Sequence, residues 1–136
     1  MRVELTEIER GYVAAARVAR LATVDPGGWP HVVAVCPVLD GDRLVFATEE
    51  ETAKVRNIQR HPQVALAFDD YVEDWTALRQ VMVRGTATMH DHGPDWNRGR
   101  ALLYERFPQY ESESPITAGG SVILHVEIEQ VFSWGL

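Results

Sequence analysis

A lysine and an asparagine three positions apart, Lys54 and Asn57, are the pair in this chain best suited to holding a ligand. They lie in residues 48–62, T-E-E-E-T-A-K-V-R-N-I-Q-R-H-P. On a helix, side chains three apart are neighbours at ~5–6 Å. An ammonium and an amide donor at that spacing can grip a phosphate. A second reading stays open beside this one. Glu50 stands four residues before Lys54, and such a pair contributes only ~0.2–0.5 kcal/mol. Glu49, Glu50 and Glu51 also repel an anion lying directly on the helix end.

Few other residues form a reactive pattern. His90-Asp91-His92 could ligate a metal at i,i+2, but no third ligand is apparent in the sequence, so a solvated turn and no metal site are expected. His125 alternates within S-V-I-L-H-V-E-I and reads as structural. Asp69, Asp70, Glu73 and Asp74 are acidic but lack the calcium-loop spacing. No Gly-rich dinucleotide fingerprint or Walker loop occurs, and no nucleophile elbow. Without an acid/base pair or a nucleophile, no catalytic residue can be named. A cofactor would have to carry any chemistry.

The elements that must position Lys54 and Asn57 follow from capping and periodicity. Thr48 with Glu51 matches a capping box, so the helix is expected to begin there, and Pro62 ends it. At about 100° per residue, Val55 and Ile58 define an apolar face. Lys54 and Asn57 then sit at its edge, with Arg56 and Arg60 toward solvent. A second box, T-E-I-E from Thr6, opens a helix over 6–16 with Ile8, Tyr12 and Ala15 on one face.

Strands are expected over 18–24, 31–39, 43–48, 63–68, 78–89, 121–128 and 130–134. Gly85 is expected to mark a bend or bulge, and Asp40-Gly41-Asp42 a hairpin turn. Residues 94–107 read as a helix with proline near its start, and 108–120 as a loop. Residues 31–39, H-V-V-A-V-C-P-V-L, are apolar at nearly every position, as in a strand buried on both faces. A small barrel buries only its inner face, so the outer one is expected to meet another subunit. Pro37 cannot donate to a ladder and suggests a bulge or an edge there.

Bulk properties narrow the function. With 136 residues the chain reads as a single domain, 1–136. A net charge of −7 argues against nucleic acid and against an anionic membrane surface. Cys36 is the sole cysteine, which excludes an internal disulfide and a Cys-based zinc site; a buried, inert thiol is expected. No apolar stretch approaches ~18 residues, and the first residues do not read as a signal peptide. A cytoplasmic location is expected.

Taken together, R-L-A-T-V-D-P-G-G-W-P-H (20–31), D-G-D-R-L-V-F-A-T (40–48), A-K-V-R-N-I-Q-R-H-P-Q-V-A-L (53–66) and V-R-G-T-A-T-M (83–89) resemble the flavin- and deazaflavin-binding split β-barrels related to pyridoxamine 5′-phosphate oxidase. D-D-Y-V-E-D-W-T-A-L (69–78) and L-L-Y-E-R-F-P-Q-Y (102–110) are similar to a subgroup labelled deazaflavin-dependent. The resemblance implies a mainly β, FMN-binding-like split β-barrel of about seven strands and two or three helices. It implies a homodimer with cofactors at the subunit interface, and phosphate binding by Lys54 and Asn57. It implies that Val35, Cys36 and Pro37, with Ala47 and Thr48, border the ring system. Trp75 and Thr76 are implied to approach the cofactor from the partner subunit. Thr52 stands where related deazaflavin binders often carry arginine, and the ending F-S-W-G-L differs from the Arg-Leu-x-Pro ending of true pyridoxamine phosphate oxidases.

The expectation is a cofactor-dependent oxidoreductase. It would pass a hydride between deazaflavin F420, or alternatively FMN, and a small unsaturated or aromatic acceptor. A non-catalytic flavin, deazaflavin or haem binder is the rival, and an FMN-dependent oxidase of the pyridoxamine phosphate type a further alternative.

Overall fold

The structure, a computed structural model, describes residues 4–136. Its elements are helix α1 (Glu7–Ala15), strands β1 (Ala19–Val24), β2 (Pro30–Val35), β3 (Val38–Asp40) and β4 (Arg43–Glu49), helix α2 (Ala53–Arg60), strands β5 (Gln63–Asp70) and β6 (Arg79–His90), helices α3 (Pro94–Arg106) and α4 (Gln109–Glu113), and strand β7 (Ser121–Trp134). A short 3-10 turn, Trp75–Ala77, precedes β6. The fold is mainly β, a split barrel.

The seven strands form one sheet in the order β2-β1-β5-β6-β7-β4-β3, antiparallel at every pairing. Its two edge strands, β2 and β3, are joined only by Cys36 and Pro37. Val35 and Val38 are three Cα steps apart, at most ~11 Å, so the sheet must curl until its edges come close at that end. No ladder joins β2 to β3, and the barrel is split there. The apolar run over 31–39 is therefore two edge strands rather than one, because Pro37, having no N–H, cannot continue a ladder.

Strand β4 and the first half of β7 are covered on both faces within the chain. Leu44 and Phe46 face the barrel core, and Val45 faces a second apolar layer. That layer packs α3 on the sheet through Trp96, Leu103 and Phe107. Gly99 permits the close approach: a Cβ there would stand 2.5 Å from Ile123 and 3.2 Å from Val45. The outer face of β2 has no such cover, and Val32 is 63% exposed.

The last two expected strands are one strand, β7, interrupted by a bulge. Arg84 faces Gln130 while Gly85 faces Ile128, so Glu129 is the extra residue. The bulge reverses the strand's parity. Val122, Leu124 and Val126 point into the barrel before it, and Val131 after it. Gly85 sits where a Cβ would lie 1.9 Å from the Glu127 carbonyl oxygen.

Helix α1 carries the capping box read from T-E-I-E: Glu9 N–H donates to Thr6 Oγ1 at 3.2 Å and Thr6 N–H to Glu9 Oε1 at 2.8 Å. Its buried face differs from the expected one. Glu9 and Val13 are buried and Ile8 is 66% exposed. The Glu9 carboxylate also accepts a hydrogen bond from the Ser133 hydroxyl, which ties α1 to the end of β7.

Gly85→Ala should lower stability by about 3 kcal/mol, the upper end for a forced overlap, because backbone rather than a mobile side chain blocks the Cβ. Gly11→Ala, in exposed helix with open space around it, should raise stability by about 0.5–1 kcal/mol. Urea unfolding midpoints of the two variants check the pair.

Candidate functional site

A cleft of about 740 Å³ opens where β2 and β4 flank the split, within the ~300–1,000 Å³ usual for small-molecule sites. Ala34, Val35 and Cys36 line it from the β2 side and Ala47 and Thr48 from β4. Lys54 enters from the first turn of α2. The far wall is Tyr110 of α4 with residues 114–117, Gly120 and Ser121. That wall is held in place by polar contacts. Ile116 N–H donates to the Tyr104 hydroxyl at 3.0 Å, Arg100 donates to the Ile116 carbonyl at 2.8 Å, and Thr117 N–H donates to Ser121 Oγ at 3.1 Å.

Helix α2 begins later than its capping pattern suggests. Strand β4 runs on through Glu49, and the N-cap is Thr52, whose side chain makes no capping bond. Its hydroxyl instead donates to the Glu49 carbonyl at 3.3 Å. The three glutamates thus form the cleft rim rather than the first helical turn. Arg56 and Arg60 are exposed, as the helical periodicity requires.

Lys54 and Asn57 part ways. Among the described residues, no salt bridge to Lys54 is formed, so the alternative pairing with Glu50 is not made. Burial pushes the Lys54 ammonium below its usual range, opposed by the nearby Glu49 charge. It is a partly desolvated cation facing open space. Asn57 is buried rather than at the rim, and its Nδ2 donates to the Thr23 hydroxyl of β1 at 3.0 Å. The buried arc of α2 is wider than Val55 and Ile58 alone predict, because the amide finds a partner inside the barrel.

Pro37 is buried in the connection behind Cys36. Cys36 itself is exposed, against the expectation of a buried thiol. Trp75 and Thr76 lie outside this cleft, in the turn capped by Asp74. Its carboxylate accepts from Thr76 N–H at 3.0 Å and Thr76 Oγ1 at 2.6 Å. The Trp75 indole donates to Tyr71 Oη at 3.2 Å, and the ring is 71% exposed. It does not cap the chain's own barrel. Sequence reasoning missed the wall formed by Tyr110 and residues 114–121. Ile116, an apolar residue isolated in a polar stretch, was the signal that this segment packs down. Burial pushes the Tyr110 phenol up, with the Cys36 charge adding to the shift.

A family model described as pyridoxamine 5′-phosphate oxidase matches residues 5–135. The chain belongs to this family. Within the pyridoxamine 5′-phosphate oxidase family, it is 40% identical over 83 residues to a pyridoxine/pyridoxamine 5′-phosphate oxidase of Azorhizobium caulinodans. That match takes in 60% of this chain and 37% of the relative, so the chain spans little more than a third of it. It is 33% identical over 87 residues to a 5a,11a-dehydrotetracycline/5a,11a-dehydrooxytetracycline reductase of Streptomyces rimosus, covering 60% of this chain and 61% of that one. A solved F420 reductase superposes with a TM-score of 0.74 at 26% identity, covering 94% of this chain and 98% of that one. No helix among the described residues is long and apolar enough to cross a membrane.

Asn57→Ala should cost about 1–3 kcal/mol of stability, because it leaves the buried Thr23 hydroxyl without its donor. Pairing Asn57→Leu with Thr23→Val should recover most of that loss. A double-mutant cycle in urea measures the coupling; a stable Asn57→Ala single variant would show that the amide does no structural service.

Proposed function

We propose that the protein is an oxidoreductase that moves a hydride between deazaflavin F420 and a small unsaturated or aromatic acceptor, with FMN as the alternative cofactor. The observation that carries this reading is the partly desolvated Lys54 ammonium lining the cleft, with no salt bridge among the described residues. An ammonium in that state gains most from an anionic partner, since a hydrogen bond to a charged group contributes ~1.5–3 kcal/mol. The resemblance to an oxidase and two reductases supports the same reading.

In this reading Lys54 holds the cofactor's phosphate. Asn57 contributes by fixing α2 to β1, which sets where Lys54 points. Val35, Cys36 and Pro37 on one side, with Ala47 and Thr48 on the other, flank the ring. Either cofactor, once bound, supplies two-electron hydride chemistry. The chain supplies position and a dry wall, which suffices for a transfer that needs alignment more than acid/base groups. Tyr110 stays protonated at neutral pH, and its hydroxyl is available as a donor.

A homodimer belongs to the proposal. The bare outer face of β2 at Val32, and the exposed Trp29, Tyr71 and Trp75, fit burial by a second copy. Trp75 and Thr76 would then approach the partner's cleft. Sedimentation should show a dimer at micromolar concentration, and a stable monomer would remove this part of the proposal.

Lys54→Ala should weaken cofactor binding at least about tenfold, since each ~1.4 kcal/mol is a factor of ten. Its unfolding midpoint should not change, and Arg60→Ala on the solvent side should bind normally. Side-by-side titration with F420 and FMN decides the cofactor, and F420 is expected to bind more tightly. Tighter FMN binding with peroxide release on pyridoxamine 5′-phosphate would place the protein on the oxidase side. Tight binding without turnover of any reduced cofactor would make it a carrier.

A further inference from the structure

On the outer face of the sheet, away from the cleft, two histidines and an aspartate converge. His90 ends β6, and His125 lies on β7. Thr88 is paired with His125, so His90 sits two residues along on the same face. The chain then reverses at Gly93, whose φ is 93°. Asp95 follows in the first turn of α3, so the reversal brings its carboxylate over the two rings. His90 Nε2 lies 3.1 Å from His125 Nδ1, and 3.8 Å from Asp95 Oδ2. Each residue offers one ligand atom, and the three atoms lie within 4.8 Å of one another.

We propose that His90, Asp95 and His125 form a binding site for one divalent ion of the zinc class. Zinc–nitrogen bonds of ~2.0–2.1 Å in a tetrahedral site put ligand atoms ~3.3 Å apart. Two of the three separations, 3.1 and 3.8 Å, bracket that value, and the ion would replace the hydrogen bond that joins the two rings. Two imidazoles and one carboxylate suit zinc rather than magnesium or calcium, which prefer all-oxygen sites. Three protein ligands leave a fourth position for water.

The surroundings divide the work further. His125 turns its other nitrogen, Nε2, toward Glu127 Oε1 at 3.7 Å. A carboxylate hydrogen-bonded there would orient a metal-bound histidine and raise its basicity, and Glu127 stands just beyond that distance. Arg43 holds the opposite oxygen of Asp95, Oδ1, at 3.3 Å. The carboxylate therefore presents Oδ2 to the histidines. Arg43 also lies 3.6 Å from Asp40 and 3.8 Å from Glu127, and Arg98 pairs with Asp40 at 2.7 Å. Three carboxylates thus face two guanidiniums, and the local charge remains negative. His92 plays no part. It is almost fully exposed beside Asp91, so the ligands come from three elements and not from the His90-Asp91-His92 tripeptide.

The test is calorimetric titration of untagged, chelator-stripped protein with zinc chloride, with magnesium chloride as the comparison. One equivalent of zinc should bind saturably, and magnesium should not. His90→Ala and Asp95→Asn should each weaken zinc binding at least about a hundredfold, beyond the ~10–100-fold typical of an outer partner. Both positions are partly exposed, and far-UV circular dichroism of each variant should match the parent. His92→Ala should bind as the parent does. Absence of saturable zinc uptake would overturn the site. So would magnesium binding with equal strength, a loss confined to His92→Ala, or an Asp95→Asn variant with parental affinity.

Discussion

The two-residue joint between β2 and β3 is the constraint on which the rest of the structure depends. These strands are the opposite edges of one sheet, yet only Cys36 and Pro37 separate them. The sheet has to close on itself, yet no ladder joins its two edges. What remains is a seam. The cleft lies along that seam, with Val35 and Cys36 on one lip and Ala47 and Thr48 on the other. The site is therefore a by-product of how the barrel closes, and α2 only has to deliver a cation to it.

That delivery depends on division of labour within one helix. Val55, Asn57 and Ile58 anchor α2 to the barrel, and Asn57 does so by a polar bond to Thr23 in an otherwise apolar setting. A buried amide left unpaired is expensive, so the bond fixes helix rotation more sharply than apolar contact alone would. Lys54, one turn earlier, then lines the cleft with no salt bridge among the described residues. The same logic operates on the opposite face. There the bulge at Glu129 reverses the parity of β7, so odd-numbered residues before it meet α3 while Val131 beyond it enters the barrel core.

Much of this was legible in the residues. The capping box at Thr6, the Asp40-Gly41-Asp42 hairpin and the irregularity at Gly85 each follow from a local rule, and each is present. The strand total of seven was also right, but by a different partition: one expected strand split at Pro37 and two expected strands merged across Glu129. Local rules failed where a distant partner decided the outcome. Glu9 is buried in place of Ile8 because Ser133, over a hundred residues away, binds it. Thr48 resembles a cap, but pairing with Val122 keeps it in β4. The histidine cluster was unreadable because its members meet only through the β6–β7 register and the turn at Gly93. Tyr110 and residues 114–117 reach the cleft through Tyr104 and Arg100, contacts that no spacing announces.

The two lips of the seam differ mechanically. Strand β4 is clamped between the barrel core and α3, with Leu44, Val45 and Phe46 all buried. Strand β2 hydrogen-bonds on one side only, to β1, and no element of its own chain covers its outer face. One jaw of the cleft is thus stiff and the other compliant. A guest of slightly different thickness would be accommodated by bending β2, while the Thr48 side keeps its place as the reference against which the guest is aligned.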